Sequence, residues 1–239
     1  MKTLEKKQVA EVVTENIATA HIFEKYGIDF CCGGAVKITT ACETAGVNFK
    51  DLETELLSLE KSLEPVKKFQ DWSLDKLADY IVQTHHAYVE ESIPLLLRYS
   101  AKVTKVHGEK HHEVWEVNRL FTKLAKELSA HLKKEELILF PFIKKMLKAK
   151  NAGLAVAPQY GTVKSPIKMM VAEHDEAGTI MKRISEITNE FIPPANSCNT
   201  FRAFYAKLDE FQRDLHRHVH LENNILFPAA IRLEQEFQD

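Results

Sequence analysis

Two short segments of the chain repeat the same spacing of metal-binding side chains. His131 is followed four residues later by Glu135, and His218 is followed in the same way by Glu222, 87 residues further along the chain. Residues four apart lie one turn above each other on an α-helix, so each pair directs an imidazole and a carboxylate to one point. The repeated HxxxE spacing therefore predicts a site for two metal ions.

Both pairs lie on the apolar stripe of an amphipathic helical pattern. The first stripe steps by three or four residues through Val117, Phe121, Leu124, Leu128, His131, Glu135 and Ile138. The second stripe takes the same steps through Phe201, Phe204, Leu208, Phe211, Leu215, His218, Glu222 and Ile225. A carboxylate at a core position is costly unless it is paired or bound to a metal. The pattern therefore predicts that these histidines and glutamates are buried ligands.

Two more helices are expected to supply the remaining ligands. His174 lies on an apolar stripe 44 residues before His218, and His86 lies on another 45 residues before His131. His85 falls beside a more polar series than its neighbour, so His86 is the better candidate. Four imidazoles and two carboxylates suit iron or manganese, whereas structural zinc sites are closed by four ligands, often thiolates. Six ligands for two ions also leave coordination positions open.

Other polar residues near these segments are given different roles. Glu136 lies one step from the inward face and is expected to be a solvated neighbour. Five histidines are expected at the surface or in supporting positions, because they lie in a polar connection or off the inward stripe: His107, His111, His112, His216 and His220. The Phe-Pro pairs at 140–141 and 227–228 are expected to pack and to shape their helices.

The fold class predicted from these patterns is all-α. A small helical domain over residues 1–62 is followed by a linker over 63–72 and a four-helix bundle over 73–239. The bundle helices are expected over 74–103, from the end of a 105–112 connection to about 150, from Ser165-Pro166 to Pro193-Pro194, and over 200–236. Shorter helical pieces are expected over 7–16, 17–26, 37–45 and 49–63, the last capped by Asn48.

Composition excludes several classes of partner. The chain has 239 residues, of which 45% are hydrophobic and 28% charged, and its net charge is −2. This balance argues against nucleic acid or an anionic membrane as the main partner. The N-terminus has no apolar segment typical of a signal peptide, and no run of 18 apolar residues occurs, so a cytoplasmic location is expected.

The four cysteines indicate reduced thiols. Cys31 and Cys32 are adjacent, Cys42 and Cys198 lie apart from them, and no CxxC motif is present. Adjacent cysteines form only a strained disulfide, but they can bind a soft metal together or exchange redox equivalents. The alternative is a pair of half-buried small residues without chemistry.

Three segments together resemble one known family. Residues 26–34, with the sequence YGIDFCCGG, resemble the cysteine-pair domain of the RIC proteins, the di-iron iron–sulfur cluster repair proteins of the ScdA/YtfE type. Residues 173–178 and 218–228 resemble the hemerythrin-like ligand segments of that family. The resemblance implies the family's cysteine pair at Cys31 and Cys32. It implies iron ligands at His86, His131, Glu135, His174, His218 and Glu222, with His85 as an alternative on the first helix.

The function that the resemblance implies is that of a cytoplasmic stress protein. It would repair iron–sulfur clusters damaged by nitric oxide or peroxide, by delivering iron to the damaged client proteins. Its cofactor would be two non-haem iron ions bridged by carboxylates and by an oxide, hydroxide or water. Oxygen-carrying hemerythrins end in HxxxxD, so the HxxxE of this chain disfavours reversible oxygen storage. A nitric oxide reductase and an oxygen- or NO-sensing module stay open as alternatives, and so does a homodimer.

Overall fold

The structure is a computed structural model that describes residues 4–60, 68–154 and 161–237. These residues are helical or form turns and loops, and the described chain contains no strand beyond an isolated bridge between Gln8 and Lys37. The all-α fold class predicted from the sequence is confirmed. Within the described ranges, no helix combines the length and the apolar composition needed to cross a bilayer.

Short helices make up the N-terminal part of the chain. They are α1 (Val9–Glu15), α2 (Ala20–Lys25), α3 (Ile38–Ala45) and α4 (Phe49–Glu60), with 3₁₀ turns at Leu4–Lys6, Ile17–Thr19 and Phe69–Asp71. Asn48 caps α4 as predicted, because its Oδ1 accepts the N–H of Lys50 at 2.9 Å. Residues 61–63 of the predicted fourth helix and 63–67 of the predicted linker lie outside the described residues.

Longer helices make up the rest of the chain, and three of the four predicted bundle helices are interrupted by a wider turn. The α-helices are α5 (Leu74–Ile81), α6 (Ala87–His107), α7 (Glu113–Lys134), α8 (Phe140–Asn151), α9 (Lys164–Ile187), α10 (Asn199–Leu221) and α11 (Phe227–Gln235). Five-residue π-helical turns interrupt this series at three places: π1 (Val82–His86), π2 (Glu135–Leu139) and π3 (Glu222–Leu226). The sequence patterns did not predict these turns.

The chain divides into two compact units. Unit 1 comprises Met1–Leu77 and His216–Asp239, and unit 2 comprises Ala78–Leu215. The sequence-based boundaries placed residues 216–239 with the bundle, whereas here they cluster with the N-terminal residues. The boundaries at 62 and 73 stay a prediction.

Unit 2 is a bundle of helices around an aromatic and aliphatic core. Helix α7 packs against both α6 and α9. The rings of Phe121 on α7 and Phe211 on α10 lie edge to face with centroids 5.6 Å apart, and both are fully buried. Tyr88 on α6 donates a hydrogen bond to Glu210 on α10 at 2.8 Å. Burial of each large apolar side chain contributes about 1.5–3 kcal/mol, so these rings fix the positions of the helices.

Unit 1 packs the N-terminal helices against the C-terminal segment of the chain. Helix α1 contacts π3 and the 3₁₀ turn at Phe69–Asp71. Phe23 and Phe30 are almost fully buried. The ring of Phe30 lies edge to face with His216 at 6.0 Å and is tilted against His220 at 5.7 Å. The loop after α2 is therefore held against the C-terminal part of α10 by aromatic contacts.

Helix α9 begins and ends earlier than predicted. Its first residue is Lys164, whose N–H is accepted by the hydroxyl of Thr162 at 3.2 Å, so Ser165 is not the capping residue. Its last residue is Ile187, well before the two prolines that were expected to end it. The next residues adopt left-handed backbone conformations, which terminate a helix: Asn189, Glu190 and Phe191, with φ of 51°, 57° and 58°.

Candidate metal centre

Three predicted ligands converge in unit 2. One ligand atom from each of His131, Glu135 and His174 lies within 4.8 Å of the other two. The Nε2 atom of His131 is 3.3 Å from Oε2 of Glu135 and 3.0 Å from Nε2 of His174. Their exposed fractions are 2%, 0% and 2%. Helices α7 and α9 and the turn π2 thus bring two imidazoles and a carboxylate to one buried point.

A fourth predicted ligand approaches the same carboxylate. The Nε2 atom of His86, at the end of π1, lies 3.4 Å from Oε2 of Glu135. The neighbouring His85 is also buried, but its Nδ1 makes a 2.9 Å contact with Oδ1 of Asp214. Between the two histidines that the sequence left as alternatives, His86 is the one beside Glu135.

Outer carboxylates orient two of these imidazoles. The Nδ1–H of His86 donates to Glu136 at 2.7 Å, and the Nδ1–H of His131 donates to Glu173 at 2.9 Å. With the proton on Nδ1, each Nε2 presents its lone pair towards Glu135, which is the arrangement that metal-binding histidines commonly have. Glu136 was expected to be only a solvated neighbour, and Glu173 was not singled out. Both could have been identified from the sequence, because each is a carboxylate directly next to a predicted ligand in the chain.

Glu173 is itself held as an anion. Partial burial would raise the pKa of its carboxyl group, but hydrogen bonds from Lys134 and His131 outweigh this effect and lower the pKa. The carboxylate therefore accepts from the imidazole and the ammonium together. An anion at this position increases the basicity of the opposite nitrogen of His131.

The chemistry of this donor group fits a metal ion. Two imidazole Nε2 atoms 3.0 Å apart and a fully buried carboxylate 3.3 Å away form a compact donor group that a bound cation would stabilise. Metal–ligand bonds of about 2.0–2.2 Å place neighbouring donors of one ion roughly 3 Å apart. The separations among His131, His174 and Glu135 agree with that requirement. The group is therefore suited to bind a metal ion.

The remaining predicted ligands form a pair in unit 1. On α10, Nε2 of His218 lies 3.1 Å from Oε1 of Glu222, the first residue of π3. Both side chains are buried, with exposed fractions of 1% and 0%. This pair repeats the His131–Glu135 contact, as the spacing predicts.

The π-turns coincide with the predicted ligand segments. His86 ends π1, Glu135 begins π2 and Glu222 begins π3. Such turns add one residue to a helical turn and are frequent at functional sites. The added residue rotates the next part of the helix, so that Ile138, which the period placed inward, is 62% exposed, whereas Leu139 is 1% exposed. The placement of Ile138 was therefore wrong, because the α-helical period does not hold across π2.

The cysteine pair lies on a loop of unit 1. The two sulfur atoms are 3.8 Å apart, and both residues are free thiols; Cys31 is buried and Cys32 is half-buried. The pKa of Cys31 is raised well above its usual value by its hydrogen bond with Cys32, by burial and by the charge of Asp29. Cys31 is therefore a protonated thiol at neutral pH.

Two residues, one on α10 and one on π3, hold this loop, and the sequence did not single them out as loop contacts. His220 was expected at the surface or in a supporting position, but it is fully buried, with Nδ1 3.2 Å from the carbonyl oxygen of Phe30. Its Nε2 lies 3.3 Å from the hydroxyl of Thr14, and burial lowers the pKa of His220 to about 4. Asn224 donates through Nδ2 to the carbonyl of Cys31 at 3.1 Å.

The other histidines that were expected at the surface or in supporting positions make contacts of their own. His107 and His111 are half-buried, and both pack against Phe201. Nε2 of His107 is 3.2 Å from the sulfur of Cys198. His112 is exposed. His216 is half-buried in unit 1, with Nδ1 4.0 Å from Glu24.

Two domain families match the chain. Residues 5–60 match ScdA_N, described as a domain of unknown function (DUF542). Residues 77–230 match the hemerythrin HHE cation binding domain, whose description agrees with the His and Glu group in the structure.

Relatives of known name match both domains together. The chain is 35% identical over 228 residues to a probable iron–sulfur cluster repair protein of Haemophilus influenzae, covering 94% of this chain and 96% of the relative. It is 37% identical over 216 residues to iron–sulfur cluster repair protein YtfE of Pectobacterium atrosepticum, covering 89% and 91%. It is 36% identical over 213 residues to the YtfE protein of Escherichia coli O157:H7, covering 88% and 90%. The chain therefore belongs to the ScdA/YtfE family of iron–sulfur cluster repair proteins, in which a hemerythrin domain follows an ScdA_N domain.

Proposed function

We propose that the six predicted ligands form one site for two iron ions. Four of them are in unit 2: Glu135 itself and the three histidines whose ring nitrogens lie close to its carboxylate. The other two lie on α10 and π3, a continuous helical segment that contributes to both units. The proposed ligands are His86, His131, Glu135, His174, His218 and Glu222.

The donor types favour iron or manganese over zinc. Imidazole nitrogen is a borderline ligand and carboxylate oxygen a hard one, a combination that suits iron or manganese better than a thiolate-rich zinc site. When bound, a pair of iron ions would supply exchangeable coordination positions and a change of oxidation state. The protein contributes the buried anionic centre and the fixed imidazole orientations that retain the metal.

The function that these features support best is repair of iron–sulfur clusters damaged by nitrosative or oxidative stress. Relatives that share about nine-tenths of the chain are named iron–sulfur cluster repair proteins. The proposed route is donation of ferrous iron to a damaged iron–sulfur protein, in the cytoplasm. Ligands without thiolate hold ferrous iron less tightly than a cluster's cysteines do, so transfer to the client is downhill. The observation that carries the proposal is the buried convergence of His131, Glu135 and His174.

A cavity beside this group offers a route for the iron. It has a volume of ≈ 250 Å³ and lies between α7 and α9, with His131 in its wall. Three carboxylates, of Glu127, Glu173 and Glu176, line it together with the ammonium group of Lys134. Lys134 pairs with Glu173, and Lys123 pairs with Glu127 and Glu176, so three carboxylates face two ammonium groups. The remaining negative charge attracts a divalent cation, and Glu173 already contacts His131. Iron that leaves the centre by this cavity would pass carboxylates before it meets solvent.

The cysteine pair is proposed to act in the same transfer. Cys31 and Cys32 would accept or guide the iron, or provide electrons, on its way to the client. Thiolates are soft ligands and bind ferrous iron well, and the loop that carries them contacts the helical segment of His218 and Glu222 within unit 1.

Transfer of labelled iron tests the proposal. The full-length protein is loaded with ⁵⁷Fe and mixed under anaerobic conditions with a [4Fe–4S] hydratase whose cluster has been damaged by nitric oxide. We expect recovery of hydratase activity and a ⁵⁷Fe Mössbauer signal in the hydratase. Replacing His131 by alanine should abolish iron loading and repair together, whereas the matched variant His111→Ala should retain both. Recovery without ⁵⁷Fe in the hydratase would refute iron donation.

The cysteine pair and the alternative activity are tested in the same preparation. A double variant, Cys31→Ser with Cys32→Ser, should keep its iron and lose repair; repair at the parent rate would remove the cysteines from the mechanism. Formation of nitrous oxide over many turnovers by the reduced protein would favour the nitric oxide reductase instead of the donor.

A further inference from the structure

The loop that carries the two cysteines is organised by one carboxylate. Oδ1 of Asp29 accepts the backbone N–H of Cys31 at 2.8 Å and that of Cys32 at 3.1 Å. Oδ2 of the same residue accepts the N–H of Gly33 at 2.8 Å. Three consecutive backbone donors therefore point at Asp29, and the loop conformation depends on its charge.

Two glycines permit this close arrangement. A β-carbon added to Gly33 would lie 3.0 Å from Oδ2 of Asp29. One added to Gly34 would lie 2.4 Å from the carbonyl oxygen of Phe30 and 2.8 Å from the β-carbon of Ala10. The backbone of Gly34 also accepts the N–H of Ala10 at 2.9 Å, which ties the loop to α1. The sequence after the cysteines is thus fitted to the carboxylate before them.

The carboxylate distinguishes the two sulfur atoms. The thiol of Cys31 lies 3.3 Å from Oδ1 of Asp29, and this residue is only 7% exposed. Cys32 is the more exposed of the two, and its sulfur lies 3.8 Å from that of Cys31. A thiolate beside a carboxylate is disfavoured by like-charge repulsion, whereas a thiol can donate to it.

We propose that Asp29 is a positioning residue that makes the vicinal thiols unequal, with Cys31 held as a protonated donor and Cys32 as the sulfur that reacts first with electrophiles and soft metal ions. When a ferrous ion binds at Cys32, an iron–sulfur bond replaces the S–H bond of that thiol, and the proton released goes to the buffer. This inference gives an order to the thiols in the proposed iron transfer and rests on that function only for its biological role.

The other titratable groups near the loop do not compete in the relevant pH range. His216 and His220 are the histidines that α10 brings to Phe30, the residue before the pair. Burial lowers the pKa of both, that of His220 to about 4, so both are neutral above pH 7. Between pH 7 and 10, changes in thiol reactivity therefore report the two thiols and not these histidines.

Alkylation kinetics test the order directly. The iron-loaded, full-length protein is treated anaerobically with iodoacetamide between pH 7 and 10, and fragment ions that separate Cys31 from Cys32 give the rate at each sulfur. In this reaction the thiolate sulfur forms a bond to carbon and displaces iodide, and the thiol proton goes to the buffer. We expect Cys32 to react first, and Cys31 to react at least about tenfold more slowly at pH 7.5.

Substitution of the carboxylate should change only the slower sulfur. In Asp29→Asn, we expect alkylation of Cys31 to become about tenfold faster at pH 7.5, with a lower midpoint in its pH–rate profile. Asp29→Glu, which restores the charge, should slow it again. Asp51→Asn, the same change at an exposed position of α4, should leave both rates as in the parent.

Several outcomes would overturn the inference. Equal rates at the two sulfurs of the parent protein would do so even if no variant folded. Faster alkylation of both sulfurs in Asp29→Asn without a shift of the Cys31 midpoint would mean that the loop had merely opened. These measurements need no client protein. The alkylation result can therefore support the order of the thiols even if the repair assay fails, and the repair assay can succeed even if the two thiols react equally.

Discussion

Replacing Glu135 by glutamine should affect the metal-loaded and the chelated protein differently. The carboxylate is fully buried and lies 3.4 Å from Nε2 of His86 and 3.3 Å from Nε2 of His131. Glutamine has nearly the same shape, so packing is preserved while the negative charge is lost. The change therefore isolates the electrostatic role of this one group.

The expected size comes from linkage between binding and unfolding. Loss of a charged ligand should weaken metal binding by at least about a hundredfold, the upper end of the effect known for outer-sphere partners. At a free metal concentration of about a hundred times the parent's dissociation constant, the parent gains ~2.7 kcal/mol and the variant only ~0.4 kcal/mol. The metal-loaded variant should therefore be about 2.3 kcal/mol less stable and melt roughly 5–9 °C lower.

In protein freed of metal by a chelator, the same substitution should change the free energy of unfolding far less, or in the opposite direction. Burying a carboxylate costs several kcal/mol, and glutamine removes that cost while it also removes the anion between two imidazoles. These terms oppose each other, so we expect a change within ~1 kcal/mol or a slight stabilisation. Calorimetry with iron and with chelator measures both cases, with Glu90→Gln at an exposed position of α6 as the control. An equal loss of stability in the two conditions would show that Glu135 is a structural residue and not a ligand.

Three further predictions concern the surroundings of the site. Glu173→Ala removes the acceptor of a proposed ligand's Nδ1–H and should weaken iron binding ~10–100-fold in a chelator competition, whereas Glu176→Ala, in the same cavity wall, should not. Partial burial raises the pKa of Asp29, but hydrogen bonds from the loop backbone and from the Cys31 thiol outweigh it and lower the pKa. The ionised carboxylate therefore stabilises the fold at any pH above the usual aspartate pKa, and this contribution is lost as the pH falls through the lowered pKa. In Asp29→Asn, the free energy of unfolding should consequently depend less on pH below about pH 4. Asn224→Ala, which removes the donor to the Cys31 carbonyl, should speed alkylation of that cysteine several-fold with iron content unchanged; a proportional loss of iron would contradict this.

The sequence predicted the helices and the buried contact between His131 and Glu135 because both depend on local spacing. An imidazole and a carboxylate four residues apart on an apolar stripe are anomalous in a core, and the anomaly is visible without any tertiary information. His131 and Glu135 are buried and in contact, as this reasoning requires. Their assignment as iron ligands stays a prediction, together with that of His218 and Glu222.

The features that the sequence did not predict depend on contacts between distant segments. A π-turn such as Glu222–Leu226 differs from an α-helix by one hydrogen-bond register, and no residue type specifies it. The sequence analysis therefore applied the α-helical period beyond Glu135 and placed Ile138 in the core, whereas its side chain is exposed. His220 was assigned away from the core because it falls off the inward stripe of its helix. The residue that contacts it, Phe30, is 190 residues earlier in the chain, so the local pattern could not reveal its burial.

The segment from His218 to Asn224 has two working faces within unit 1. His218 and Glu222 are four residues apart and share one face, while His220 and Asn224, displaced by two residues, share the opposite one. The first face carries the proposed ligand pair, and the second holds the carbonyls of the cysteine loop. Because π3 begins at Glu222, a movement of that carboxylate when metal binds or leaves must be taken up by the same turn that holds Asn224. The backbone of the cysteine loop is therefore hydrogen-bonded to the turn that begins at the proposed ligand Glu222, and we expect a movement of that carboxylate to shift the loop as well.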